Sequence, residues 1–173
     1  MGNTKQLWTI DPTHSEIGFK VKHMMISTVS GAFTDFDGSV KTDNEKFIDA
    51  DFNFIAKVNS IHTKNEDRDA HLRSADFFDE ENYPELKFQS KSFDGDTMIG
   101  DLTLKNTTKE IELDVDFNGI AVDPYGNTKA GFEISGVINR KDFDLSWSAV
   151  TEAGSIVVSD KVKLVIDLQF VKQ

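Results

Sequence analysis

His14 and Ser15 stand side by side, the two residue types that a hydrolase uses as base and nucleophile. Adjacent residues of an extended strand point to opposite faces, so this pair cannot share a hydrogen bond. His14 and His23 have opposite parity along one strand and do not converge on a metal without a bulge. Asp67 and His71, four apart, fit one face of a helix, yet two ligands do not hold an ion. Arg68, Asp69, His71 and Arg73 therefore read as hydrogen-bonding and ion-pairing groups that tie a helix to the rim of a barrel. Cysteine is absent, which removes thiolate nucleophiles and zinc–thiolate sites, and no glycine-rich phosphate loop, HExxH or GxSxG occurs. The expectation is no catalytic residue, no metal and no cofactor.

The elements that would position any site are mostly strands. Ile17, Phe19, Val21 and His23 alternate with Glu16, Gly18, Lys20 and Lys22, and Phe52, Phe54, Ala56 and Val58 share one face of the next clear strand. Leu86 to Phe93 and Met98 to Lys105 flank a turn at Asp94-Gly95-Asp96, a hairpin signal. Ile111, Leu113, Val115 and Phe117 alternate with Glu110, Glu112, Asp114 and Asp116; Phe132 to Ile138 and Val162 to Phe170 repeat the pattern. Asn106-Thr107-Thr108 matches a glycosylation sequon and reads as a turn. The segment from Ser60 to Phe78 differs, being dense in charge, and Thr63 with Glu66 fits a capping box that predicts a helix over Lys64–Ala75. About eight strands, each with one apolar face, bury those faces economically by closing on themselves. The expected fold is a single all-β domain over residues 1–173, an antiparallel barrel with one helix at an opening, with a two-sheet sandwich as the alternative.

The formal net charge of −11 opposes nucleic acid and anionic lipid surfaces. No stretch approaches the ~20 apolar residues that span a bilayer, and the first ten residues contain no apolar leader core, so the reading is cytoplasmic without a stable membrane anchor. Fourteen Phe against two Tyr and two Trp point to a dry interior. A barrel of this size is either filled by its side chains or holds one small ligand, and periodicity alone leaves both open. If a lumen exists, its walls are expected from Phe19, Val21, Phe33, Phe52 and Phe54, then Phe88, Leu102, Leu113, Val115, Phe132 and Ile134. Met24 and Met25 would add adaptable surface, and Phe77 and Phe78 would shield one end.

The motifs have a further implication. Trp8-Thr9-Ile10-Asp11 with His14-Ser15, Phe19, Val21 and His23, then Gly31 and Phe33, open the chain; Ser60-Ile61-His62-Thr63 precedes Arg68-Asp69, His71-Leu72-Arg73-Ser74 and Phe77-Phe78. Tyr83-Pro84 with Phe88 and Ser90, Gly100-Asp101-Leu102-Thr103-Leu104 with Thr108-Lys109, and Asn139-Arg140 with Asp142-Phe143 follow in order. Together they closely resemble the YceI-like family of lipid-binding proteins along nearly the whole chain. The resemblance implies a lipocalin-like barrel with a helix at its opening, enclosing a tunnel for a polyisoprenoid, an isoprenoid quinone or a fatty-acid-like amphiphile. It implies a homodimer and no catalytic reaction. Asn106 and Asp144 stand where members usually carry Gly. The alternative is a solid-core barrel acting as a stress-related or protein-interaction module without a lipid.

Overall fold

Alternating side chains become strand after strand in the computed structural model, which describes residues 5–24, 26–145 and 158–173. In chain order these are β1 (Gln6–Ile10), β2 (Glu16–His23), β3 (Ser27–Phe33), β4 (Phe36–Thr42), β5 (Asp51–Lys57) and β6 (Ile61–His62). The helix α1 (Glu66–Arg73) follows, then β7 (Glu85–Phe93), β8 (Thr97–Leu104), β9 (Thr107–Val122), β10 (Thr128–Asn139) and β11 (Val158–Lys172). Among the described residues every pairing is antiparallel. The order β1-β4-β5-β7-β8-β9-β10-β11 returns to β1, where Trp8 faces Lys172 and Ile10 faces Phe170, so eight strands close a ring and exclude the sandwich. β2, β3 and β6 extend the same sheet from β11.

β1 and β2 are one strand interrupted by a 3-10 turn at Pro12–His14, and both pair with β11. Ser15 serves this junction, its Oγ accepting from the Gln169 N–H at 2.9 Å. His14 Nδ1 lies 2.8 Å from Asp11 Oδ2, so neither residue faces the other as base and nucleophile. The expected turn at Asp94-Gly95-Asp96 is found, with Gly95 at φ 105° between β7 and β8; the turn between β8 and β9 is Lys105-Asn106, and Thr107 and Thr108 already belong to β9.

The helix is shorter than Lys64–Ala75, and its cap is another residue. Asn65 caps it, accepting from the Arg68 N–H at 3.0 Å. Thr63 is buried, and its N–H and Oγ1 both donate to Asp69 Oδ1, at 2.9 and 2.5 Å. Arg68 donates from Nε to Thr63 Oγ1 (2.8 Å) and from Nη2 to the Thr63 carbonyl (2.5 Å). His71 Nε2 meets Asp76 Oδ2 at 2.8 Å, and Arg73 Nε lies 3.7 Å from Glu80. These hydrogen bonds and ion pairs of the four polar groups run within the segment 62–80, and Asp69 also lies 3.7 Å from His62 of β6. Apolar contact seats it on the barrel, with the Phe78 ring edge-on to Phe33 at 5.9 Å.

One feature of the outer wall follows from register. Glu16 faces Asp167, Asp167 faces Glu133, and Glu133 faces Asp116, a row of four exposed carboxylates across four adjacent strands. Among the described residues no helix is long and apolar enough to cross a membrane.

Candidate functional site: an apolar lumen above an aromatic floor

The inward faces of β2, β5 and β7–β11 enclose a cavity of about 180 Å³ that runs from the α1 end toward the opposite end of the barrel. Among the described residues its walls are apolar side chains, with Asn53 and Arg140 the two of polar type. Phe19, Val21, Phe33, Phe52, Phe54, Phe88, Leu102, Leu113 and Ile134 line it as a group, and Leu72, Phe77 and Phe78 cover the helix end. Glycines give these side chains their place: a Cβ at Gly100 would stand 2.5 Å from Phe88 Cζ, and one at Gly136 would stand 2.7 Å from Leu113 Cδ2.

Three expected wall residues are elsewhere. Val115 and Phe132 are buried but do not border the cavity; they belong to the packed lower part of the barrel. Met24 sits at the exposed β2–β3 turn, 39% accessible, away from the lumen. Met25 lies outside the described residues. The sequence reading also passed over Leu164, Ile166, Leu168 and Phe170, which line the cavity with the parity that β11 advertises.

The lower part is solid. Trp8, Phe47, Phe93, Phe132 and Phe170 are all nearly inaccessible, and their rings meet edge-on at 5.2 Å for Trp8 with Phe47 and for Phe47 with Phe132. Phe52 and Phe170 belong both to this cluster and to the cavity wall, so they form its floor. The filled and hollow readings of the barrel therefore each describe one part of the same lumen.

Arg140, missed as a site residue, stands at the other end. It follows β10 in a 3-10 turn, Arg140–Phe143, and is 2% exposed. Its Nη1 donates to the Leu145 carbonyl (2.6 Å), Nε to that of Ser159 (3.0 Å) and Nη2 to that of Val158 (3.4 Å), which joins the two sides of the β10–β11 connection. Burial lowers its pKa, and the carboxylate of Asp160, 3.6 Å away, acts in the opposite sense. The signal that pointed to it was the Asn139-Arg140 motif alone. No group of three or more His, Cys, Asp or Glu capable of holding a metal exists among the described residues.

The family model of the YceI-like domain matches residues 8–170. A UPF0312 protein of Staphylococcus aureus strain N315 is 35% identical over 164 residues, which cover 94% of this chain and 96% of that protein. A Staphylococcus epidermidis UPF0312 protein is 37% identical over the same span. Among solved structures, the YCEI protein of Campylobacter jejuni superposes with a TM-score of 0.72 at 32% identity, covering 88% of this chain and 90% of that one. A polyisoprenoid binding domain from Saccharophagus degradans shares the fold, with a TM-score of 0.74 at 14% identity over 96% of this chain and 98% of its own.

Proposed function

The chain belongs to the YceI-like domain family, and on that premise we propose that it binds, stores or carries a long-chain apolar ligand in the barrel lumen without converting it chemically. The ligand is a polyisoprenoid, an isoprenoid quinone or a fatty-acid-like amphiphile. The observation that carries this reading is the lumen itself, a cavity whose wall is built almost wholly of hydrocarbon surface. The fold shared with a domain described as polyisoprenoid-binding supports it.

The energetics suffice. Each buried CH₂ contributes roughly 0.8 kcal/mol, so a chain of several isoprene units exceeds the several kcal/mol that immobilisation costs. The free space of about 180 Å³ is close to the ~150 Å³ of a dry cavity that holds benzene, so a longer chain is admitted by rotation of the half-buried rings of Phe19, Phe54, Phe78 and Phe88. Homodimerisation belongs to the same reading, and sedimentation over a range of concentrations checks it.

The test is native mass spectrometry and organic extraction of protein purified from its own cells, followed by titration with a quinone and a fatty acid. A co-purifying lipid and saturable uptake are expected. No retained lipid together with no saturation would overturn the proposal.

A further inference from the structure

Phe47 lies outside any strand, in the loop between β4 and β5, at a φ of 61° that a bulky side chain adopts only when its surroundings hold it there. Those surroundings are identifiable. Asn44 Oδ1 accepts from the N–H groups of Lys46 (3.2 Å) and Ile48 (3.0 Å), and its Nδ2 donates to the Ile48 carbonyl (3.0 Å). The Asp49 N–H donates to the Phe93 carbonyl at 2.9 Å, which fastens the loop to β7. So pinned, the loop places Phe47 inside the end of the barrel with no accessible surface, edge-on to Trp8, Phe117 and Phe132. Phe132 in turn stands edge-on to Phe52 (5.5 Å) and Phe170 (5.8 Å), the floor of the cavity.

We propose that Phe47 is a stopper: it backs the aromatic floor, makes the lumen blind, and so sets the greatest chain length the protein accepts. This rests on the lumen reading above. A blind lumen takes a single-chain amphiphile tail first and leaves its polar head at the α1 end, where Arg140, the charged residue among the described wall residues, stands. The floor end is closed by Phe47, Phe93 and Ala130, which are fully buried. Affinity then grows with each methylene until the tail meets Phe52 and Phe170, and stops growing beyond.

The experiment titrates saturated straight-chain carboxylates, from octanoate to tetracosanoate and delivered from cyclodextrin, into the full chain and into Phe47→Leu, Phe47→Ala and Ile48→Ala. Ile48 is a partly exposed neighbour on the same loop and serves as the control. For the unaltered protein, affinity should tighten about fourfold per added methylene and then break to a plateau. The break should move to longer chains in Phe47→Leu, further in Phe47→Ala, and stay in place in Ile48→Ala. Circular dichroism establishes which variants are folded; the break in the unaltered protein and the Leu variant carry the test if the Ala variant is not. A series without a break, or a break that folded Phe47 variants leave unmoved, overturns the stopper while sparing the lumen reading. Absence of saturable uptake at every length overturns both.

Discussion

Phe19 and Gly31 are partners across β2 and β3, and a Cβ at Gly31 would lie 2.4 Å from Phe19 Cζ. The absent side chain is where the ring rests. Gly31→Ala should therefore swing Phe19 into the lumen, a move open to the far end of a half-buried side chain, at about 1 kcal/mol. Gly100→Ala meets not only Phe88 at 2.5 Å but the Gln89 carbonyl oxygen at 2.6 Å, and backbone cannot swing, so about 3 kcal/mol is expected. Urea midpoints and ligand capacity measured together should show capacity falling in both variants and stability falling sharply in Gly100→Ala alone.

Asp11 should govern part of the acid limit of stability. Burial pushes its carboxyl pKa up, but hydrogen bonds from Lys129, Thr13 and His14 outweigh that and hold it well below the usual carboxylate range. A lowered folded pKa means that this stabilisation is present above the unfolded value near 3.8 and is lost as pH falls below it. Lys129 is raised from 10.5, mainly by Asp11, so its share is present below that value and is lost as pH rises past it. Asp11→Asn should flatten both limbs of a stability–pH curve measured by urea unfolding; unchanged limbs would assign them to other groups.

The row Glu16–Asp167–Glu133–Asp116 places like charges directly opposite one another, which is destabilising. Glu133→Lys converts two repulsive pairs into attractive ones and should stabilise the barrel by about 0.5–1 kcal/mol at low ionic strength, with the gain shrinking as salt rises. Thermal unfolding across a salt series reads this out.

Asp144 sits at φ 61°, ψ 24°, the left-handed region that glycine favours. Its ion pair with Lys105 is 3.7 Å long and solvated, so little is lost with the side chain. Asp144→Gly should gain about 0.5 kcal/mol, the relief of left-handed strain less the added freedom of the unfolded chain. A fall in the unfolding midpoint would contradict this.

Arg140→Gln should cost about 1–3 kcal/mol, because the buried carbonyl of Leu145 and the part-buried carbonyls of Val158 and Ser159 lose a donor together. Arg140→Lys should rescue little of it, since a single ammonium does not span both sides of the connection as the guanidinium fork does. Chemical denaturation of both variants makes the comparison.

Face was legible in the sequence and depth was not. Alternation placed Leu113 with Val115, and Phe132 with Ile134, on one face of their strands, correctly, yet it says nothing about height along the barrel axis, and so two of the four read as wall where they are floor or its backing. Thr63 matched the first residue of a capping box, but burial beside Asp69 claimed its donors and left the cap to Asn65. Phe47 carried no signal, because a loop residue has no period and its position depends on side-chain pins from Asn44. Arg140 was visible only within a motif, since its partners are backbone carbonyls that no side-chain pattern reveals.

The seam between β1 and β11 bears on the order of events during synthesis. Because β11 pairs with β10, β2 and β1, three stretches of sheet wait for one strand. Trp8 leaves the ribosome long before Lys172, and joining such distant stretches carries the largest loop-closure entropy in the molecule and a high contact order. The barrel is thus committed to closing after translation has passed β11, and until then the emerging chain carries a long apolar face with no partner, the period in which a chaperone would have most to hold.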